Sequence, residues 1–274
     1  MRLFVADLRK LVRRPASWVT LVLLLALLAL ILVVLVAAAR TSTEPQAALG
    51  ARQFVTFPGA YELVLTLILG IGGLLAVTYG AAIGGSEWGW GTLKAAVARG
   101  ESRSRYTLLN FASVAVFTWL GLLAAFVLGV VGAAVGGLIL GVPPGGITDP
   151  EGLRRLPELL GRAGLALAMN AAFGYAVATV ARSQLAGIAV GVGLFFAEGI
   201  AGLFLPDVFQ WFPFSASSAV TSPLSGGGVG AGGGGAGAVV TQLDQNTAIV
   251  VVCVWLVVAI VVAAAFTERA EIGG

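Results

Sequence analysis

Six long apolar runs, separated by short polar segments, dominate this chain of 274 residues. A hydrocarbon layer about 30 Å thick needs roughly 20 apolar residues per helix, whereas barrel strands need only about 9–11 alternating residues. Because the runs are long and do not alternate, the pattern predicts an all-α membrane protein whose residues 1–274 form one transmembrane domain. The predicted transmembrane helices are residues 16–39, 60–83, 107–135, 159–181, 185–205 and 247–266.

The composition agrees with this pattern. The hydrophobic fraction is 58%, the charged fraction is 11% and the mean hydropathy is +0.99, whereas soluble domains carry about 25% charged residues. The first apolar run follows basic residues, as in a secretory signal, but it is longer than the roughly 7–15 residues of a signal core. We therefore expect it to remain as the first transmembrane helix.

The distribution of cations predicts the orientation. Most of the 16 Lys and Arg residues fall before the first run, between the second and third runs, and in other segments on the same side of the membrane. Since cytoplasmic loops carry the Lys and Arg excess, both termini are predicted to be cytoplasmic in a multi-pass protein of the cell (plasma) membrane. The positive charge then reflects topology, and nucleic acid is not an expected partner.

Residues 1–15 predict an amphipathic helix before the first transmembrane helix. Phe4, Leu8 and Leu11 recur at helical spacing among several cations, and Pro15 then interrupts the helix. Such a segment lies on the inner leaflet as an elbow helix. The alternative interpretation is a basic tail that only directs membrane insertion.

The polar segment between the second and third runs predicts one short helix over residues 86–99. Ser86 is suited to its N-cap and Gly100 to the left-handed position after its end. A helix over these residues would place an acid, an indole, a glycine without a side chain and a cation on one face, which suits docking of a partner. These four residues are Glu87, Trp90, Gly91 and Lys94.

The last long loop, residues 206–246, begins with aromatic side chains and is broken by prolines. It is too apolar for open water and too irregular for a transmembrane helix. This mixture predicts an interfacial or re-entrant segment. The glycine-rich residues that follow it predict a flexible linker.

Several kinds of chemistry are missing from the sequence. It has no histidine, one cysteine (Cys253) and no phosphate-binding Walker motif. We therefore expect no catalytic, cofactor-binding or metal-binding residue and no ATP hydrolysis by this chain. A membrane-embedded enzyme is disfavoured.

Polar residues inside the apolar runs are candidates for a substrate path. Glu198 is the deepest acid, Asn170 lies near the middle of the fourth run, and Glu62 and Arg162 lie near run ends. Intramembrane ionisable residues are often functional. The alternative interpretation is a hydrogen bond between helices or, at run ends, a side chain that reaches the interface.

The segment from Glu87 to Tyr106 resembles the permease subunits of type-2 ATP-binding-cassette (ABC) exporters. In that family the loop after the second helix reads Glu, a few residues, Gly-Thr-Leu-Lys/Arg and then Gly/Ser-x-Arg. The six-helix plan is also similar, although Asn110 stands where the family often carries Lys or Arg. The matching residues are Glu87, Gly91, Thr92, Leu93, Lys94, Gly100, Ser102, Arg103 and Tyr106.

The resemblance implies a dimer of this permease with an identical copy or a paralogue. It also implies a separate cytoplasmic ABC ATPase subunit that uses ATP and Mg, with residues 86–99 as the coupling helix seated in that subunit. Glu87 and Lys94 would then carry charge contacts to the ATPase. The residues implied in coupling are Glu87, Trp90, Gly91, Thr92, Leu93, Lys94 and Arg103.

Other functions remain open at this point. A secondary transporter would use Glu198 as a proton or ion relay, and a non-transporting scaffold or sensor subunit could keep the same architecture. The small number of charges inside the runs favours a lipophilic drug, a lipid-like molecule or a peptide as substrate.

Overall fold

The computed structural model describes residues 2–41, 50, 52–220 and 243–270, and these residues contain helices and no strand. The all-α prediction is therefore confirmed. The helices are α1 (Arg2–Arg13), α2 (Pro15–Thr41), α3 (Ala60–Gly89), α4 (Thr92–Ala98), α5 (Arg103–Ile139), α6 (Pro150–Ala181), α7 (Gln184–Phe204), α8 (Pro206–Phe209), α9 (Pro213–Val220) and α10 (Gln245–Arg269), and a 3-10 turn (Pro144–Thr148) precedes α6.

Six of these helices are long and apolar enough to cross a membrane: α2, α3, α5, α6, α7 and α10. This confirms the six apolar helices expected from the sequence. The 37 residues of α5 span about 55 Å at 1.5 Å per residue, which exceeds a hydrocarbon layer of about 30 Å. Because α5 is continuous, it either tilts or extends beyond the apolar layer.

Helices α3 and α6 form the centre of the bundle, and their backbones touch. A Cβ atom at Gly80 would lie 2.0 Å from the carbonyl oxygen of Ala171, and a Cβ atom at Gly174 would lie 2.0 Å from that of Val77. Any larger residue at either glycine would collide with backbone, which cannot move aside as a flexible side chain can. The two glycines therefore permit the close approach of the helices.

The surrounding helices present apolar side chains outward. Val33 on α2, Val127 on α5 and Val250 on α10 are each more than 60% exposed, and many neighbours on the same helix faces are aliphatic. Water does not favour such continuous apolar faces, whereas lipid chains do.

One end of the bundle gathers the N-terminal helix, α4 and the C-terminal end of α10. Arg103, at the start of α5, donates to the carbonyl oxygen of Ala270 at 2.6 Å. The guanidinium of Arg182, between α6 and α7, lies 5.0 Å from the ring centre of Trp88 and 5.4 Å from that of Phe266. These contacts bring the ends of α3, α5, α6 and α10 together at what we call the α1 end.

At the other end, two short helices follow α7. Helix α9 packs against α6, α7 and α10, and most of its side chains are buried. The predicted interfacial or re-entrant segment thus includes two helices, although its depth in a membrane stays a prediction. Residues 221–242, which include the predicted flexible linker, lie outside the described residues.

The short helix predicted over residues 86–99 is wrong in its extent. Helix α3 continues to Gly89, and the separate helix α4 begins only at Thr92. Gly91 divides them with a φ of 64°, a left-handed conformation that glycine adopts without steric cost. Ser86 is not an N-cap; its hydroxyl donates to the carbonyl oxygen of Ile83 within α3 at 2.8 Å.

Candidate functional site

A buried carboxylate at the α1 end connects four helices. Glu87, in the last turn of α3, is 3% exposed. Its side chain contacts residues of α1, α4 and α5. We call this group the Glu87 cluster, and it consists of Lys10, Arg14, Ser86, Glu87, Thr92 and Tyr106.

Two cations bind the Glu87 carboxylate: Lys10 of α1, and Arg14, the residue that follows α1. Lys10 Nζ lies 2.7 Å from Oε1 and 2.9 Å from Oε2, and Arg14 Nη2 lies 2.8 Å from Oε1. Arg14 also donates from Nη1 to the Ser86 hydroxyl at 2.8 Å. A buried charge is tolerated when it is paired and hydrogen-bonded, and here both conditions are met.

Two hydroxyl groups complete the coordination of Glu87. Thr92, the first residue of α4, and Tyr106, in α5, each donate to Oε2 at 2.5 Å. The carboxylate therefore fixes the start of α4 and the start of α5 to the end of α3. Through Lys10 and Arg14 it fixes the N-terminal helix to the same point.

Helix α1 turns one face toward this cluster. Asp7, Leu11 and Arg14 are buried, whereas Arg9 and Arg13 are exposed. One carboxylate oxygen of Asp7, Oδ2, is buried and accepts no hydrogen bond from the described residues.

The environment of Asp7 disfavours its charged form. Burial raises the pKa of Asp7 to about 6; the negative charge of Glu87 also raises this pKa, while Lys10 and Arg14 lower it. Asp7 therefore lies beside a charged cluster, and its Oδ2 receives none of the hydrogen bonds from the described residues that Glu87 has.

The outer side of this region is a compact exposed surface. Leu93 and Ala96 point inward against Tyr106, whereas Trp90 is 66% exposed. The Arg14 guanidinium lies 4.8 Å from the centre of the Trp90 ring, which holds the indole in place. We call this exposed group the α4 surface, and it consists of Gly89, Trp90, Lys94, Ala95, Ala98 and Arg99.

The structure thus separates the predicted coupling residues into two groups. Trp90 and Lys94 are exposed on the α4 surface, and Gly91 forms the turn beside them. The remaining four serve contacts within the chain or are buried. These are Glu87, Thr92, Leu93 and Arg103.

The prediction that Glu87 offers its charge to a partner protein does not fit this geometry. Its carboxylate is buried and engaged by Lys10, Arg14, Thr92 and Tyr106. Sequence reasoning missed Lys10 and Arg14 as its partners. Their spacing of four residues, on one side of a predicted helix, is the signal that could have indicated a shared contact.

Glu198, the deepest predicted residue of a substrate path, binds the start of another helix. Its Oε2 accepts hydrogen bonds from the backbone N–H groups of Phe214 and Ser215 at 3.0 and 3.1 Å, and from the Ser215 hydroxyl at 3.4 Å. The first N–H groups of a helix lack partners within that helix. Glu198 on α7 satisfies them for α9, which matches the interpretation as a hydrogen bond between helices.

The other residues predicted for a substrate path have contacts different from those of Glu198. Asn170 is 3% exposed, and its Oδ1 accepts no hydrogen bond from the described residues. Glu62 is half-buried in the first turn of α3, and Arg162 pairs with Glu158 one turn earlier on α6. Among the described residues, no hydrogen bond or ion pair joins these side chains into one polar path.

Comparisons with known proteins do not assign this chain to a family. No protein-family model matches its sequence, and no curated protein matches it. A functional interpretation therefore depends on the residues and geometry described above.

Proposed function

We propose that this chain is the membrane-spanning permease subunit of an ATP-driven ABC exporter. It forms the translocation path for a substrate, and a separate cytoplasmic ATPase subunit docks at the α4 surface. The observation that supports this proposal best is the attachment of an exposed docking surface, through one buried carboxylate, to three other helices.

The Glu87 cluster has the connections that mechanical coupling needs. Displacement of α4 by a partner would be passed through Thr92 and Glu87 to α3, through Tyr106 to α5, and through Lys10 to α1. A substrate path can be controlled from outside the membrane only if contacts differ between two states. The ATPase would supply this difference by binding ATP and Mg and then hydrolysing ATP.

In this proposal the α1 end is cytoplasmic and the protein belongs to the plasma membrane. Helix α1 is the elbow helix: its exposed Arg9 and Arg13 suit an anionic leaflet surface, and its buried face packs on α5. The excess of cations in the segments of this end agrees with a cytoplasmic position.

The proposed exporter is a dimer of two permease chains, either identical or paralogous. Four of the apolar helices expose long aliphatic faces, so a second permease could pack on part of this surface while lipid covers the rest. A lipophilic or lipid-like substrate fits the scarcity of charge inside the bundle.

The first test is co-purification. The tagged chain is extracted from its native membrane with a mild detergent, and bound proteins are identified by mass spectrometry. We expect a soluble chain with a Walker motif in near-equal amount. If repeated preparations contain no ATPase, the proposal fails; transport driven by an ion gradient and abolished by Glu198→Gln would then establish the secondary-transporter alternative.

The second test addresses the α4 surface directly. Lys94→Glu and Trp90→Ala change exposed side chains, so we expect correct insertion but at least a tenfold loss of substrate-stimulated ATPase activity and of bound ATPase. The matched control is Arg154→Glu, a charge reversal at an exposed position of α6. Normal ATPase binding and stimulation in both α4 variants would refute docking at this surface.

A further inference from the structure

An open apolar cleft lies between α2, α3, α5 and α6, and none of its lining residues belongs to the Glu87 cluster. The cleft is open along one side, and the space of about 410 Å³ between its walls includes that open side. Thr20 and Leu24 line one wall, Phe117 and Leu122 line another, and Tyr79 lies toward one end.

The polar groups in the cleft are already satisfied by the protein. Thr20 and Thr118 each donate to the carbonyl oxygen four residues earlier on their own helix, at 2.9 Å. The Tyr79 hydroxyl lies 3.0 Å from the Ser17 hydroxyl and shares a hydrogen bond with it. No charged residue lines the cleft. An occupant would therefore meet an apolar wall and would gain no new hydrogen bond, which selects a hydrocarbon chain.

The depth of the cleft corresponds to the acyl region of one leaflet. Thr20 and Leu24 come five and nine residues after Pro15, where α2 begins, and these separations equal about 7.5 and 13.5 Å along a helix. Beside the cleft on the same helix, Trp18 and Val22 are at least half exposed, so the surrounding surface is apolar. A chain entering the cleft would come from the lipid rather than from water.

The exposed cations of α1 indicate which class of lipid would bind in the cleft. Helix α1 ends two residues before α2 begins, and it exposes Arg9 and Arg13. Both arginines belong to the element that directly precedes the α2 wall of the cleft in the chain. Arginine pairs well with phosphate oxygens, and basic residues near a membrane surface favour anionic lipids.

We propose that this cleft binds an acyl chain of an anionic phospholipid from the leaflet beside α1, with the headgroup held near Arg9 and Arg13. The bound lipid fills the space between α2 and α5 and connects α1 to the bundle at a second point. This inference depends on the six apolar helices and not on the ATPase partner, so the two proposals can fail separately.

The cleft can be filled by substitution. A Cβ atom at Gly121 would lie 3.8 Å from Leu21 Cδ1, an ordinary contact, so Gly121→Leu places a side chain in the cleft without backbone collision. Gly193→Leu makes the same change on the exposed surface of α7, where nothing lies within 4 Å of the Cβ position. It is the matched control. Thr20→Leu fills the cleft from the opposite wall, and it is the second test variant if Gly121→Leu does not fold.

The probe is phosphatidylglycerol with a photoreactive diazirine in the middle of one acyl chain, mixed into vesicles that contain the full-length protein. After irradiation, mass spectrometry locates the labelled residues. We expect labelling concentrated at Leu21 and Phe117, at least fivefold lower in Gly121→Leu or Thr20→Leu and unchanged in Gly193→Leu. Equal labelling of all exposed helices, or no loss in the filled variants, would overturn the proposal.

The headgroup is tested with the same label on phosphatidylcholine. We expect the wild-type protein to be labelled at the cleft at least threefold more by phosphatidylglycerol, and Arg9→Gln combined with Arg13→Gln to remove this preference. Equal labelling of the wild-type cleft by both lipids would overturn anionic selectivity. Displacement of the probe by a water-soluble lipophilic compound, with no protection by added phosphatidylglycerol, would overturn a lipid as the occupant.

Discussion

Glu87 and Glu198 are both buried acids on apolar helices, yet the protein compensates them by different means. Glu87 receives two cationic side chains and two hydroxyl groups from α1, α4 and α5. Glu198 receives two backbone N–H groups and one hydroxyl from the first turn of a single helix, α9.

The difference shows what each acid holds in place. The contacts of Glu87 depend on its charge, because Lys10 and Arg14 would be left without an anion if it were neutral. The contacts of Glu198 depend on one acceptor oxygen, Oε2, because all three of its donors bind that atom. The first acid joins four helices at the proposed docking surface, and the second fixes one short helix against α7.

Removing the charge of Glu87 should have the largest effect. We expect Glu87→Gln to lower the free energy of unfolding by about 3–5 kcal/mol, the usual cost of breaking a buried ion pair. Thermal unfolding in a mild detergent measures this, and hydrogen exchange should show faster opening of α1 and α4. Glu101→Gln, a half-exposed acid between α4 and α5, is the control and should change stability little. Equal stability of both variants would contradict the charge dependence.

At Glu198 the outcome should depend on the oxygen and not on the charge. Glu198→Ala leaves two buried N–H groups without an acceptor and should lower the free energy of unfolding by about 2–4 kcal/mol. The amide oxygen of Gln can replace Oε2, so Glu198→Gln should cost about 1 kcal/mol or less. Chemical denaturation of the two variants tests this order. A Gln variant as unstable as the Ala variant would indicate that the charge matters here as well.

Asp7 offers a third acid, buried beside Glu87 but without a hydrogen bond to its Oδ2 from the described residues. Its raised pKa, about 6 in the folded state against a usual value of 3.8, means that the folded protein binds this proton more tightly than the unfolded chain. The stability from this group is fully present below pH 3.8 and is lost as the pH rises to about 6.

Asp7→Asn should therefore have an effect of the opposite sign. We expect it to stabilise the protein above pH 6 relative to the wild type, with a difference that shrinks as the pH falls toward 4. Thermal unfolding of both proteins across pH 4–7 provides the measurement. A difference that stays constant over this range would mean that the pKa of Asp7 is not raised.

The apolar helices could be predicted from the sequence because membrane thickness and backbone hydrogen bonding leave one solution for long apolar runs. The helix ends were less predictable. At residues 86–89 the polar side chains suggested a new helix, but Ser86 and Glu87 find buried partners, so α3 continues until Gly91 turns the chain.

The candidate site could be predicted only in part, because its contacts join residues distant in sequence. The motif around Gly91 and Lys94 lies next to the Glu87 cluster, but Lys10 precedes Glu87 by 77 residues, and no local pattern relates them. Glu198 was recognised as an unusual buried acid, while its binding to α9 depends on how the chain returns after α7. An acid in an apolar run is expected to need a hydrogen-bond or ionic partner, but only the tertiary structure shows which residue provides it.

The glycine contacts between α3 and α6 reduce the number of independently moving parts in the bundle. With Gly80 and Gly174 each against a backbone carbonyl, we expect these two helices to move as one rigid body. A pair of spectroscopic labels across them would then keep a constant separation and provide a fixed reference distance. In the proposed transport cycle, changes in distance from this reference to α2, α5 or α7 would identify the helices that open and close the proposed path.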